Sequence, residues 1–178
     1  KNKLKIFDHE YNKSNGGSSR YYIAHKENKQ ILINKKNINK ALNYEKKFKL
    51  DKINTYLKFA KEIQKIKKIC NTKIQSILNL KQKIHGYGAS TKGNVILQYF
   101  NINNKQIEFI SDRNPFKNNR YTPGTKIKII SEKKSRNLRP NYYFVLPWHF
   151  KKEILKREIK IRKKNTKFIF PLPKFKII

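Results

Sequence analysis

Between a short extended segment, Lys83-Ile84-His85, and an apolar run of Val95, Ile96, Leu97, Tyr99 and Phe100 lies Gly86-Tyr87-Gly88-Ala89-Ser90-Thr91-Lys92-Gly93-Asn94. Strand, glycine turn and helix start form the opening of a βαβ unit, and few local patterns restrict a fold so tightly. Glycine lets the backbone turn sharply. The first N–H groups of the helix that follows have no partner inside it, so they face an anion readily. Lys92 adds a full positive charge beside them. The run therefore predicts a site for a phosphate or a nucleotide-like ligand before it predicts any reaction.

The remaining segments are compatible with that opening. Residues 4–11 and 20–25 read as two short strands around the turn signal Asn15-Gly16-Gly17-Ser18. Residues 26–40 are polar and read as a loop. From about Ala41 to Leu80, apolar residues recur at Ile53, Leu57, Ala60, Ile63, Ile66, Cys70, Ile74 and Ile77, which predicts a long amphipathic helix starting near Asn43 or Asp51. Strands near 83–87, 106–111 and 127–130 follow, with a helix over 91–100. The run Tyr142-Tyr143-Phe144-Val145-Leu146 has the near-continuous apolar character of a buried parallel strand. A basic helix from Pro147-Trp148-His149 to about Lys164 and a strand at Phe168-Ile169-Phe170 complete the series. Alternation of this kind predicts an α/β fold: a Rossmann-like parallel sheet flanked by helices, with an N-terminal hairpin-like arm and the long amphipathic helix. The expected division is residues 1–40, leading in from an upstream domain, and 41–178, the Rossmann-like domain.

Composition limits the function classes. The net charge of +33 predicts affinity for polyanions, yet it is spread along the whole chain and comes mainly from Lys, alongside abundant Asn and Ile. A coding bias toward A and T produces that trio as readily as selection for nucleic-acid binding does. The expected nucleic-acid affinity is non-specific in either case. One cysteine, Cys70, excludes an internal disulfide and a cysteine-rich metal centre. No stretch has transmembrane length and none reads as a signal peptide, so no membrane partner and a cytoplasmic location are expected. The chain begins with Lys1 and contains no Met, which reads as a fragment or processed piece.

Several residues carry candidate chemistry. The glycine run places its third glycine two positions later than a dinucleotide fingerprint does, and Thr91-Lys92-Gly93 fails the P-loop order. Asp112 ends the second strand of the Rossmann series, where an acidic residue would hold a ribose hydroxyl, so an NAD-dependent enzyme is a rival reading. Arg113 beside it suits a phosphate or carboxylate instead. Loops after neighbouring strands share one sheet edge, so Lys92, Arg113 and Arg120 are candidates to converge on one anion. Trp148 offers a stacking surface and His149 an acid or base. The pair His9-Glu10 mimics a general base, but adjacent strand residues face opposite ways. A basic nucleic-acid-binding module is the third reading, resting on charge and on scattered Tyr and Phe.

Taken in order, Gly86 to Asn94, Asp112-Arg113-Asn114-Pro115, Pro123-Gly124-Thr125, Leu146-Pro147-Trp148 and Phe168 to Pro173 resemble the C-terminal domain of S-adenosylmethionine-dependent sugar C-methyltransferases. Asn15-Gly16-Gly17-Ser18-Ser19-Arg20 resembles the segment leading into that domain. The resemblance implies a Rossmann-like domain that grips a nucleotide-sugar substrate and lacks the methyl-donor site. It implies that S-adenosylmethionine is bound by an upstream central domain of the same protein and zinc by an N-terminal region. The family's Glu-His base pair, which forms an enolate on a keto-sugar, belongs to that central domain, so His9-Glu10 is not it and this piece alone is expected to be inactive. The positions implied in substrate binding are Gly86, Tyr87, Gly88, Ser90, Thr91, Lys92, Asn94, Asp112, Arg113, Asn114, Tyr121 and Trp148, with no catalytic residue in this chain.

Overall fold

The computed structural model describes residues 2–178, which divide into two compact units, one ending at Glu62 and one starting at Ile63. In the first, strands β1 (Leu4–Asn12) and β2 (Ser18–His25) form an antiparallel hairpin closed by a 3-10 turn over Ser14–Gly16. Asn15 (φ 51°), Gly16 (φ 86°) and Gly17 (φ 126°) supply the left-handed backbone that the turn needs. Helix α1 (Lys35–Lys47) is capped by Asn34, whose side chain accepts from the Asn37 N–H. It lies against β1, where Asp8 accepts from the Asn37 side chain at 2.8 Å. That bond, followed by the His9 N–H, holds the Asp8 carboxyl below the usual carboxylate range.

The expected polar loop over 26–40 thus ends earlier than the sequence indicates, and the single helix over 41–80 is two. Helix α2 (Ile53–Asn79) follows a break in which Lys49 takes φ 52°. There the Leu50 N–H donates to the Glu45 carbonyl and the Lys49 N–H to that of Lys46, a Schellman ending with lysine where glycine usually stands.

The second unit is a six-stranded sheet in the order β5-β4-β3-β6-β7-β8. Strands β3 (Ile84–Tyr87), β4 (Phe109–Asp112), β5 (Lys128–Ser131), β6 (Tyr142–Val145) and β7 (Lys167–Phe170) are parallel, and β8 (Lys176–Ile177) closes one edge antiparallel. Counted along the chain the parallel strands lie 3-2-1-4-5, the Rossmann order, with its switch point between β3 and β6. Alternate residues feed two cores. Ile84, Ile110, Ile129, Phe144 and Ile169 face Cys70, Ile74 and Ile77 of α2 and Ile96, Leu97 and Phe100 of α3 (Thr91–Phe100). Tyr87, Tyr143, Val145, Phe168 and Phe170 face Ile154 of α5 (Lys151–Arg157). Burial pushes the Cys70 thiol up to about 12, which leaves it an inert packing residue.

Two further differences from expectation bear on the site. The basic helix over 148–164 is a 3-10 turn (Trp148–Phe150), then α5, then the short α6 (Ile159–Arg162). A helix that sequence periodicity does not show, α4 (Glu132–Asn137), starts directly at the end of β5 with Ser131 as its cap. Among the described residues no helix is long and apolar enough to cross a membrane, and no group of three His, Cys, Asp or Glu is arranged to hold a metal.

Candidate functional site

The parallel strands end at the same edge of the sheet, and four of them, β3, β4, β5 and β6, contribute to a cleft of about 480 Å³ there. Tyr87, Gly88, Ala89 and Ser90 come from the end of β3, Asp112, Arg113 and Lys117 from the end of β4, and Glu132 from the end of β5. Pro147, Phe150, Glu153, Ile154 and Arg157 follow β6. The cleft therefore sits at the switch point, where ligands of open α/β sheets bind.

Its floor is the glycine loop. Gly88 has φ +79°, and a Cβ there would stand 2.9 Å from Pro147 Cγ. Ser90 caps α3 by accepting from the Gly93 N–H at 3.1 Å. Gly93 packs so closely that a Cβ would lie 2.5 Å from Leu146 Cβ. Gly86 lies inside β3, where a Cβ would meet Ile110 Cγ1 at 2.6 Å. The three glycines thus serve sheet packing, the turn itself, and helix-to-strand approach, in that order along the chain.

Asp112 braces this loop. Its Oδ2 accepts from the Ala89 N–H at 2.7 Å and from Lys117 Nζ at 3.3 Å, and its Oδ1 accepts from the Asn114 N–H at 2.8 Å. Lys117 Nζ also donates to the Ala89 carbonyl at 2.7 Å. Both carboxylate oxygens are thus engaged within the protein, where they hold the loop and Lys117. Asn114 Oδ1 is likewise engaged, accepting from the Phe116 N–H. Arg113 is different. It is exposed at the cleft wall, and no hydrogen bond or ion pair to it is present among the described residues.

Behind the opposite wall lies a compact ion network. Glu158, 2% exposed, accepts from Tyr87 Oη at 2.7 Å, from Arg136 at 2.8 Å and from Arg157 Nε at 3.1 Å. Arg157 Nη2 donates to Tyr87 Oη and, at 2.6 Å, to Glu132. Arg136 also donates to Glu132 at 3.0 Å. Burial raises the Glu132 carboxyl above its ordinary value, against the pull of Arg136. Beneath the network a buried polar chain links His85 Nδ1 to Ser135 Oγ at 2.8 Å and Ser135 Oγ to Tyr143 Oη at 2.9 Å.

Of the residues singled out from the sequence, Tyr87, Gly88, Ser90, Asp112 and Arg113 line the cleft together. Gly86, Thr91, Lys92, Asn94, Asn114, Arg120, Tyr121 and Trp148 lie outside its lining. Trp148 is half-buried and packs against both cores. His149 is pushed below the ordinary histidine value by burial and then by the charge of Lys92. His9, buried against Tyr11 and Tyr21, and Glu10, paired with Arg20 at 2.6 Å, part to opposite faces as expected. Sequence reasoning missed Lys117, Glu132, Glu153, Arg157 and Glu158. For the acidic ones the sequence offered only their scarcity: of the five acidic residues after position 63, the structure gathers four (Asp112, Glu132, Glu153 and Glu158) at this edge.

Residues 13–173 match the family model of the C-methyltransferase C-terminal domain. This chain belongs to that family. It is 28% identical over 123 residues to "C-methyltransferase NovU" of Streptomyces niveus, a match covering 69% of this chain and 29% of that protein. The chain thus matches less than a third of the length of this curated relative.

Proposed function

We propose that this chain is the substrate-side domain of an S-adenosylmethionine-dependent methyltransferase acting on a carbon of a nucleotide-linked keto-sugar. The observation that carries the reading is the cleft at the switch point, lined by the braced glycine loop and by Arg113, a cation with no ion pair among the described residues. A diphosphate between them replaces that missing partner by charge-assisted hydrogen bonds. Binding energy from a remote diphosphate holds the sugar at the place where another domain acts on it. The match to a longer C-methyltransferase supports an upstream domain in the same protein. The methyl donor and zinc belong to that upstream part in this reading, and the present chain alone does not methylate. Its own residues bind and orient. The bonds of Asp112 within the protein give the NAD-dependent alternative no specific support.

Calorimetry with dTDP-glucose, dTDP and NAD tests the proposal. The two thymidine nucleotides are expected to bind, and Arg113→Ala to weaken both roughly tenfold, the loss of one charge-assisted contact. Binding of NAD without binding of dTDP contradicts the reading. Unchanged affinity in Arg113→Ala removes Arg113 from the diphosphate contact.

A further inference from the structure

The cleft lining holds two chemically different groups of residues. One is the Gly88–Ser90 loop with Arg113. In the other, Arg157 is clamped by Glu158 through Nε and by Tyr87 and Glu132 through Nη2, with its Cζ 5.3 Å from the centre of the Tyr87 ring. These contacts fix the guanidinium plane and compensate its charge. Its Nη1, with two N–H groups, makes no hydrogen bond among the described residues. Glu153 also lines the cleft and makes no hydrogen bond or ion pair among the described residues. Phe150, 44% exposed, and Ile154 supply an apolar surface between them.

A phosphate is a poor occupant beside Arg157, because Glu132 and Glu158 already accept from its guanidinium. An oriented N–H donor, a carboxylate acceptor and an apolar face together match a ring that carries hydroxyl or carbonyl oxygens on its edge and C–H groups on its face. We propose that Arg157 Nη1 and Glu153 form a subsite for an uncharged, oxygen-bearing ring of the ligand, and that Glu158 is the positioning residue holding Arg157 there. This rests on the nucleotide-sugar reading above. The ring is either the ribose or the hexose of such a ligand, since both offer the same oxygens.

The test compares pyrophosphate, dTDP and dTDP-glucose by calorimetry on the full chain and on Arg157→Lys, with folding checked by near-UV circular dichroism. Lysine keeps the charge but cannot present a planar, three-point-clamped donor. Arg157→Lys is expected to weaken ring-bearing ligands roughly tenfold, as one charged hydrogen bond does, and to leave pyrophosphate unaffected. Loss with dTDP identifies the ribose as the ring, and loss with dTDP-glucose alone identifies the hexose. Equal weakening of pyrophosphate, or no weakening of any probe, overturns the subsite. Should Arg157→Lys unfold, Glu153→Ala carries the same expectation from an exposed position outside the network. If the unaltered chain binds pyrophosphate but neither nucleotide, the nucleotide-sugar reading itself has failed and the subsite falls with it. Glu158→Gln, if folded, is expected to reproduce the Arg157→Lys pattern, and restoration of near-normal binding by Glu158→Asp separates positioning from simple destabilisation.

Discussion

Gly93 shows what a single residue contributes to this site. Its place in the sequence reads as a dinucleotide glycine displaced by two positions, but its neighbours explain the displacement. It brings the first turn of α3 against Leu146 at the end of β6, leaving no room for a methyl group. Gly93→Ala places a Cβ 2.5 Å from Leu146 Cβ and 2.9 Å from Ser90 Oγ, the α3 cap. Urea unfolding is expected to show a loss of about 1–3 kcal/mol, the usual cost of overpacking. A cost near zero means that the loop and β6 move apart easily, which contradicts a rigid cleft floor. Asp112 carries the opposite lesson. It stands where a ribose ligand is expected from sequence, yet its two oxygens serve the loop backbone and Lys117. Residue type and position were legible, whereas the partner that each oxygen chose was not.

At the scale of elements, starts were easier to recognise than stops. Ser90 caps α3 and Ser131 caps α4, ordinary helix openings. The stops rest on Lys49, Lys81 and Asn101, all with positive φ, at positions where glycine is usual. Lysine carries no stop signal, so the break between α1 and α2 is hidden in a continuous apolar pattern. The element β3 also contains a titrating group. Burial holds the His85 pKa below its ordinary value, against a smaller pull from Glu108, whose Oε2 is 3.6 Å away; Lys83 lowers it further. Ser135 and Tyr143 complete its surroundings. The unfolded chain therefore binds the extra proton first, and stability falls as pH drops below about 6.5, the ordinary histidine value. The urea midpoint is expected to decrease between pH 7 and pH 5.5, and His85→Gln to flatten that slope. His149 is shifted in the same direction, so part of the slope remains in His85→Gln. An unchanged slope in His85→Gln excludes His85 as its source.

Over the whole molecule, burial is unevenly shared. Among the described residues up to Glu62 only His9 and Ala41 are buried, whereas the second unit holds both hydrophobic cores. Backbone amides of β1, β2 and α1 are accordingly expected to exchange hydrogen faster than those of β3 and β6, because few apolar contacts oppose local opening. Mass-spectrometric hydrogen exchange on the isolated chain measures this directly; equal protection in the two units rejects it. Charge is unevenly shared as well. The excess of Lys is distributed along the sequence, but the few acidic residues of the second unit concentrate where Arg113, Arg136 and Arg157 lie. That grouping follows the cleft rather than the compositional bias of the chain.

The sequence by itself determined the parallel α/β alternation, the strand–glycine–helix opening at Gly86–Asn94 and the family resemblance. These depend on side-chain periodicity and on backbone dihedrals set within a few neighbouring residues. Tertiary structure alone decided which charges meet. Tyr87 and Glu158 lie 71 positions apart and touch because β3 and β6 are adjacent parallel strands ending at one edge. Periodicity carries no record of such a meeting, since ion pairing depends on where the strand ends arrive in space, and in a Lys-rich chain the few partners that matter look like the many that do not.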